Sequence, residues 1–206
     1  MPKRPPTINA RPGMLLCVLG GLVATILLNA LMFLAPALGF PFLDIPHLMG
    51  GVLTRSPDAA FWLGFWINFL PGVVVFAPAF DFAWEFLPGP SLGLRGALLK
   101  GVLWGLVLWV LSGLMLLLVG ALNRLDPGVV QHPGPFAFRA GLLGALGLLG
   151  GHLAYGVALA LVAATGQGVF PTDTMGWSGY MKGETPPGRL LSGNRALPEY
   201  PPVGER

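Results

Sequence analysis

Four stretches of the chain, residues 14–38, 59–80, 101–123 and 140–165, contain no Asp, Glu, Lys or Arg. Within each, the apolar residues run on without the alternation that a half-buried strand requires. A hydrocarbon layer of roughly 30 Å is crossed by about 20 helical residues, and inside lipid a backbone must find its hydrogen-bond partners within its own segment. Each stretch is long enough to span. The pattern predicts an all-α membrane protein, a four-transmembrane-helix bundle over 14–165. A basic arm at 1–13 precedes it, and an extended tail at 166–206 follows.

The segments between the stretches refine this picture. In the first loop, Phe40-Pro41-Phe42-Leu43-Asp44-Ile45-Pro46-His47-Leu48-Met49 is too apolar for a free loop and too broken by proline to span, so it reads as an interfacial segment along the membrane surface. After the second stretch, Asp81 and Glu85 stand at i and i+4 among Phe80, Phe82, Trp84 and Phe86, which reads as a helical extension into the headgroups with a solvated acidic face. From Gly166 onward Pro, Gly and polar residues dominate, a composition that builds no core of its own. Trp177, Tyr180 and Tyr200 are the aromatic anchors by which such a tail would clasp a neighbouring subunit.

Composition agrees with the pattern. Of 206 residues, 54% are hydrophobic and 10% charged, and mean hydropathy is +0.70, which leaves too few charges to wet the surface of a soluble globule. The net charge of +3 is small and divided among arm, loops and tail, which argues against nucleic acid as a partner. A lone cysteine, Cys17, excludes an intramolecular disulfide and a multi-cysteine metal site. The first stretch follows Lys3, Arg4 and Arg11, and Ala35-Pro36-Ala37 has the look of a signal-peptide cleavage site, but the apolar run exceeds a signal core and is kept as a helix. Lys and Arg concentrate in the arm, the second loop (Arg95, Lys100) and the tail (Lys182, Arg189, Arg195, Arg206), against Arg55, Arg124 and Arg139 in the first and third loops. That asymmetry predicts both termini on the cytoplasmic side of a bacterial inner membrane.

Helical periodicity assigns faces. On the fourth stretch Leu142, Leu146, Leu149, Leu153 and Val157 point one way, toward lipid, and Gly141, Gly144, Gly151, His152 and Tyr155 the other. Gly147 and Gly151 make a small-xxx-small pair, Gly101, Gly105 and Ser112 mark the third stretch, Gly64, Asn68 and Gly72 the second, and Thr25 with Asn29 the first. These are the expected helix-packing positions, because small residues let neighbouring backbones approach. Asn29, Asn68, Ser112 and His152 fall near mid-membrane, where an unpaired polar group is costly, so they are expected to hydrogen-bond inside the bundle.

Candidate chemistry is sparse. A mid-membrane imidazole is a functional candidate, so His152 is the residue that could carry a proton or ligate haem iron. A bis-histidine haem b needs a second axial ligand at similar depth, and His47 qualifies only where its Pro-rich segment dips inward. His132, in Gln131-His132-Pro133-Gly134-Pro135, reads as a solvated loop residue. Phe61, Trp62, Phe65, Trp66 and Phe69 form an aromatic stripe of the kind found in interfacial belts. Pro71-Gly72 and Pro78 are helix breakers of a type that bundles accommodate and transporters exploit. No phosphate-binding glycine loop, nucleophile elbow or His-Glu zinc motif occurs in the sequence, so no catalytic residue, metal or cofactor is assigned.

The run Gly20-Gly21-Leu22-Val23-Ala24-Thr25-Ile26-Leu27-Leu28-Asn29-Ala30-Leu31-Met32, followed by Pro36 and Gly39, together with Gly150-Gly151-His152-Leu153-Ala154-Tyr155-Gly156-Val157-Ala158-Leu159-Ala160, resembles a group of small bacterial four-helix membrane proteins known only as a domain of unknown function. The resemblance covers residues 14–165 and implies the helix count and a paired-helix layout, with no activity. The leading functional expectation is a non-catalytic accessory subunit of a larger bacterial membrane complex, respiratory or photosynthetic, with other membrane subunits and lipids as partners. Two alternatives stay open: a haem-binding electron carrier using His152 with His47, and a small transporter or channel lined by Asn29, Asn68, Ser112 and His152.

Overall fold

The structure, a computed structural model, describes residues 11–90 and 93–166. Trp177, Tyr180 and Tyr200 lie outside the described residues. Within the described residues the chain is helical throughout, with no strand: α1 (Met14–Leu34), α2 (Ile45–Gly50), α3 (Pro57–Pro71), α4 (Ala77–Ala83), α5 (Leu94–Leu122) and α6 (Gly141–Thr165). Short 3-10 turns at Ala35–Leu38 and Pro135–Ala140 flank α1 and α6, and one π-helical turn, Gly72–Phe76, joins α3 to α4. Four segments are long and apolar enough to cross a membrane, Met14–Leu38, Pro57–Ala83, Leu94–Leu122 and Pro135–Thr165. The chain is a multi-pass membrane protein built as a four-helix bundle.

Element boundaries follow local chemistry. The first span stops where Pro36 enters the last turn and Gly39 takes φ 82°, a left-handed conformation in which its N–H caps the carbonyls of Ala35 and Pro36. α3 starts after Ser56 with Pro57, whose missing N–H costs nothing at a helix start, and Asp58 complements the positive end of the helix dipole. α5 begins at Leu94, earlier than the hydropathy pattern implies, so Arg95 and Lys100 belong to its first turns and not to a loop. A helix of 29 residues is longer than a hydrocarbon layer of roughly 30 Å requires, and its first turns can carry charge toward the headgroups.

The spans pack through backbone-close contacts. A Cβ on Gly101 would stand 2.6 Å from the carbonyl oxygen of Gly156, and one on Gly105 the same 2.6 Å from that of His152, so α5 and α6 touch where only hydrogen fits. Gly21 meets Ala77 in the same way, joining α1 to α4. At the α3–α4 junction Pro71 has no N–H to offer the preceding turn, and the chain widens into the π-turn. There Thr25 of α1 fills the space beside Gly72, and the Tyr155 hydroxyl of α6 donates to the Gly72 carbonyl at 2.5 Å.

Two apolar cores result. One gathers Cys17, Phe80, Trp84, Trp104, Tyr155 and Leu159, and the other Ile45, Leu48, Ala60, Leu116, Val119 and Leu125. The second contains α2, the short helix between the first two spans: Ile45, Pro46 and Leu48 are buried, and α2 packs against α3. Gly64 lies directly on the Pro46 carbonyl and Gly50 on the Ala60 backbone. Asn123 donates to the Leu48 carbonyl at 2.8 Å and the Arg124 N–H to that of Gly51 at 2.8 Å, so the end of α5 pins α2. In the turn before α6, Phe136 (φ 51°) and Ala137 (φ 61°) hold left-handed conformations rare outside glycine, with the Phe136 ring seated on Gly113 and 4.8 Å from the Trp109 ring.

Candidate functional site

Asn29 on α1, Asn68 on α3, Ser112 on α5 and His152 on α6 line a single cavity of about 110 Å3. Four spans thus contribute one polar side chain each. The cavity lies where the two apolar cores meet, with Leu28 belonging to one and Met32, Met49 and Leu148 to the other. Its origin is geometric. The π-turn and α4 rest on α1, while α3 packs on α2, and Ile45 and Met49 of the α2 segment join the lining of the cavity.

His152 is held at both nitrogens. Nδ1 lies 2.8 Å from the Leu148 carbonyl oxygen, one turn back on α6. A carbonyl only accepts, so Nδ1 carries the proton and Nε2 the lone pair. The Ser112 hydroxyl, 2.8 Å from Nε2, is then the donor. Both hydrogen-bonding positions of a neutral imidazole are occupied.

Asn29 is 7% exposed, and its amide nitrogen donates to the Thr25 carbonyl at 2.8 Å. Its Oδ1 is buried without a partner. Asn68 is half-buried on the same cavity and takes no part in the bonds that hold Asn29, Ser112 and His152. Ser112 and His152 are therefore satisfied against each other, whereas Asn29 Oδ1 is shielded without a donor.

The histidines are not brought together. His47 on α2 places Nδ1 2.7 Å from the Asp44 carboxylate and its ring 5.4 Å from Phe61, and it does not line the cavity that holds His152. His132 is half-buried with Nδ1 shielded and unpartnered, which corrects its reading as a solvated loop residue. It borders a second cavity, of about 370 Å3, together with Asp44, Gln131 and Arg139, and Pro41, Leu43 and Ile45 are common to both cavities. Among the described residues no three His, Cys, Asp or Glu side chains cluster in a way that could hold a metal ion.

The glycine positions divide into two groups. Gly72, Gly101 and Gly105 meet other spans, and a Cβ on Gly151 would stand 2.8 Å from Leu28 of α1. Gly64, Gly144 and Gly147 face loops or short elements instead: Pro46, the Ala137 carbonyl at 3.0 Å, and Phe40 at 3.4 Å. The aromatic stripe on α3 forms a ladder, with Phe65 and Phe69 stacked 5.6 Å apart and Trp62 and Trp66 exposed.

Three polar groups that sequence reasoning left at the surface or unremarked are structural. Asp81 is buried and accepts from the Gly13 N–H at 3.1 Å, so the acidic face is not wholly solvated. Glu85 is exposed and takes both Nε (2.8 Å) and Nη2 (2.9 Å) of Arg11. That pairing holds the Glu85 carboxyl below its ordinary range and the Arg11 guanidinium above its own. Lys100 is 1% exposed, donates to the carbonyls of Trp84 (2.5 Å) and Leu87 (2.6 Å), and lies 5.0 Å from the Trp84 ring centre. Spacing from Leu94 puts Lys100 on the helix face shared with Gly96, Gly101 and Trp104, the one signal in the sequence that it points inward. No family model, curated protein or solved structure matches the chain.

Proposed function

We propose that this chain is a non-catalytic accessory subunit of a larger bacterial membrane assembly of the respiratory or photosynthetic kind, lying in the inner membrane with both termini cytoplasmic. The observation that carries the reading is the engagement of His152. The one imidazole inside the spans has its proton on the Leu148 carbonyl and its lone pair on the Ser112 hydroxyl, the arrangement of a packing residue. A haem ligand needs a free nitrogen, which His152 lacks, and the second candidate, His47, does not line the cavity that holds His152. Lys100, Tyr155 and Asn123 likewise tie elements together by donating to backbone carbonyls. The tail, with Trp177, Tyr180 and Tyr200, is the segment assigned to clasp a partner, and the lysine and arginine bias supports the orientation.

Extraction of the chain from its own membrane in a mild detergent, followed by native mass spectrometry, tests this. Co-purification with a fixed set of membrane subunits, lost on deletion of residues 167–206, is the expected result. A monodisperse lone chain overturns it.

A further inference from the structure

We infer that the cavity of about 370 Å3 between the first and third loops is a headgroup site for a zwitterionic phospholipid bearing a primary ammonium, with Arg139 meeting the phosphate and Asp44 the ammonium. The observation behind this is two opposite charges that line one cavity without pairing with each other. Arg139 is exposed, and among the described residues its guanidinium has no carboxylate partner. Its base is nonetheless fixed. The Arg139 N–H donates to the Pro133 carbonyl at 2.8 Å, and the stem of the side chain lies on Gly134, where a Cβ would stand 2.8 Å from Cγ. Asp44 takes one bond at each oxygen, from the backbone N–H and from the ring Nδ1 of His47, and its side chain is 23% exposed. A carboxylate has about four acceptor positions, so an ammonium can still be received there.

The charges select among headgroups. Asp44 and Arg139 are the only Asp, Glu, Lys or Arg side chains in the lining, so the site is balanced, and a zwitterion brings to each of them the opposite sign. A purely anionic headgroup sets a like charge against Asp44. A primary ammonium offers N–H donors to the carboxylate, which a trimethylammonium lacks, and the guanidinium fork matches phosphate oxygens in pairs. Location favours a lipid over a soluble source of the same chemistry. The first span ends at Leu38, just before Pro41 of the lining, and Arg139 stands in the first turns of the fourth, so the cavity lies where spans meet headgroups. Phe42 and Val129, both exposed, line it too and give apolar surface to the glycerol and the first acyl carbons.

The test titrates the full chain in a mild detergent with phosphatidylethanolamine, phosphatidylcholine and phosphatidylglycerol of identical acyl chains and follows the first bound lipid by native mass spectrometry. Phosphatidylethanolamine is expected to bind about tenfold tighter than the other two, the effect of one charge-assisted hydrogen bond. Asp44→Asn keeps an acceptor for the His47 N–H and loses the charge, so it should abolish that preference. Arg139→Gln should weaken every phospholipid about tenfold, since all share the phosphate. Arg55→Gln, at an exposed arginine of the first loop outside the cavity, should change nothing. Equal wild-type affinities, a preference kept in folded Asp44→Asn, or an equal loss in Arg55→Gln would each overturn the inference, and the wild-type comparison stands even where a variant fails to fold. Glycerophosphoethanolamine at the concentration of the lipid should not displace it; displacement would assign the site to the soluble molecule and overturn the lipid reading. None of these results depends on whether the chain belongs to a larger assembly.

Discussion

The hydroxyl of Ser112 on α5 stands 2.8 Å from Nε2 of His152 on α6 and donates to it, because the other ring nitrogen is already committed to the Leu148 carbonyl. The tautomer is thereby determined, and nitrogen NMR of the labelled ring should show a protonated Nδ1 and a bare Nε2. Ser112→Ala leaves Nε2 without a donor and should lower stability by about 1 kcal/mol, a size set by interhelical bonds in membranes being weaker than their burial suggests. A protonated Nε2 in the wild-type spectrum would contradict the assignment.

Gly156 lies directly against the backbone of Gly101 and Gly105 across the α5–α6 interface, whereas nothing approaches a Cβ built on Gly150. Gly156→Ala cannot be relieved by a side-chain rotation and should cost about 1–3 kcal/mol as the two helices are forced apart. Gly150→Ala, one and a half turns away on the same helix, should be neutral or stabilising by up to about 1 kcal/mol through its better helix propensity. Unfolding the two variants side by side in detergent separates close packing from a general intolerance of α6 to larger residues.

Lys100 joins two carbonyls at the end of the second span to the start of the third. Lys100→Met keeps the length and loses the ammonium, so the carbonyls of Trp84 and Leu87 lose their donor. The expected consequence is a stability loss of about 2 kcal/mol, hydrogen bonds to charged groups exceeding neutral ones. Faster amide exchange confined to residues 84–90 would locate the effect. Unchanged exchange there would mean that the helical turn holds itself.

The Arg11–Glu85 pair is exposed, and its contribution should depend on pH and salt. Glu85 titrates below its ordinary range, so the pair is fully formed above the unfolded glutamate pKa and is lost as pH falls through the lowered folded value. Arg11, raised by the same partner, stays charged throughout that window. The Nε resonance of Arg11 should follow the acid titration of Glu85, lose its displacement in Glu85→Gln, and move toward its free position as salt is added. A resonance indifferent to all three would remove the pair.

The spans were legible in the sequence because the membrane imposes a one-dimensional requirement: enough consecutive uncharged residues to cross, each with its backbone bonded within its own helix. Hydropathy therefore located four apolar helices, with Lys100 among the misplaced boundary residues, since a charge near a helix end looks like loop when only composition is read. The same reading singled out Asn29, Asn68, Ser112 and His152 as polar groups at similar depth. It could not say which of them meet.

That question belongs to three dimensions. The burial of α2 beneath Asn123 and Arg124, the π-turn at Gly72 under the Tyr155 hydroxyl, and the inward turn of Asp81 toward Gly13 all join residues far apart in the chain. Whether two polar groups satisfy each other, as Ser112 and His152 do, or leave an acceptor unmet, as at Asn29, depends on rotations and offsets between helices smaller than a side chain. The sequence by itself determined how often the chain crosses the membrane and which side chains are costly there, because both follow from the solvation of single segments. Only the tertiary structure decided that those side chains surround a cavity, because a void is a property of how four helices fail to fill the space between them.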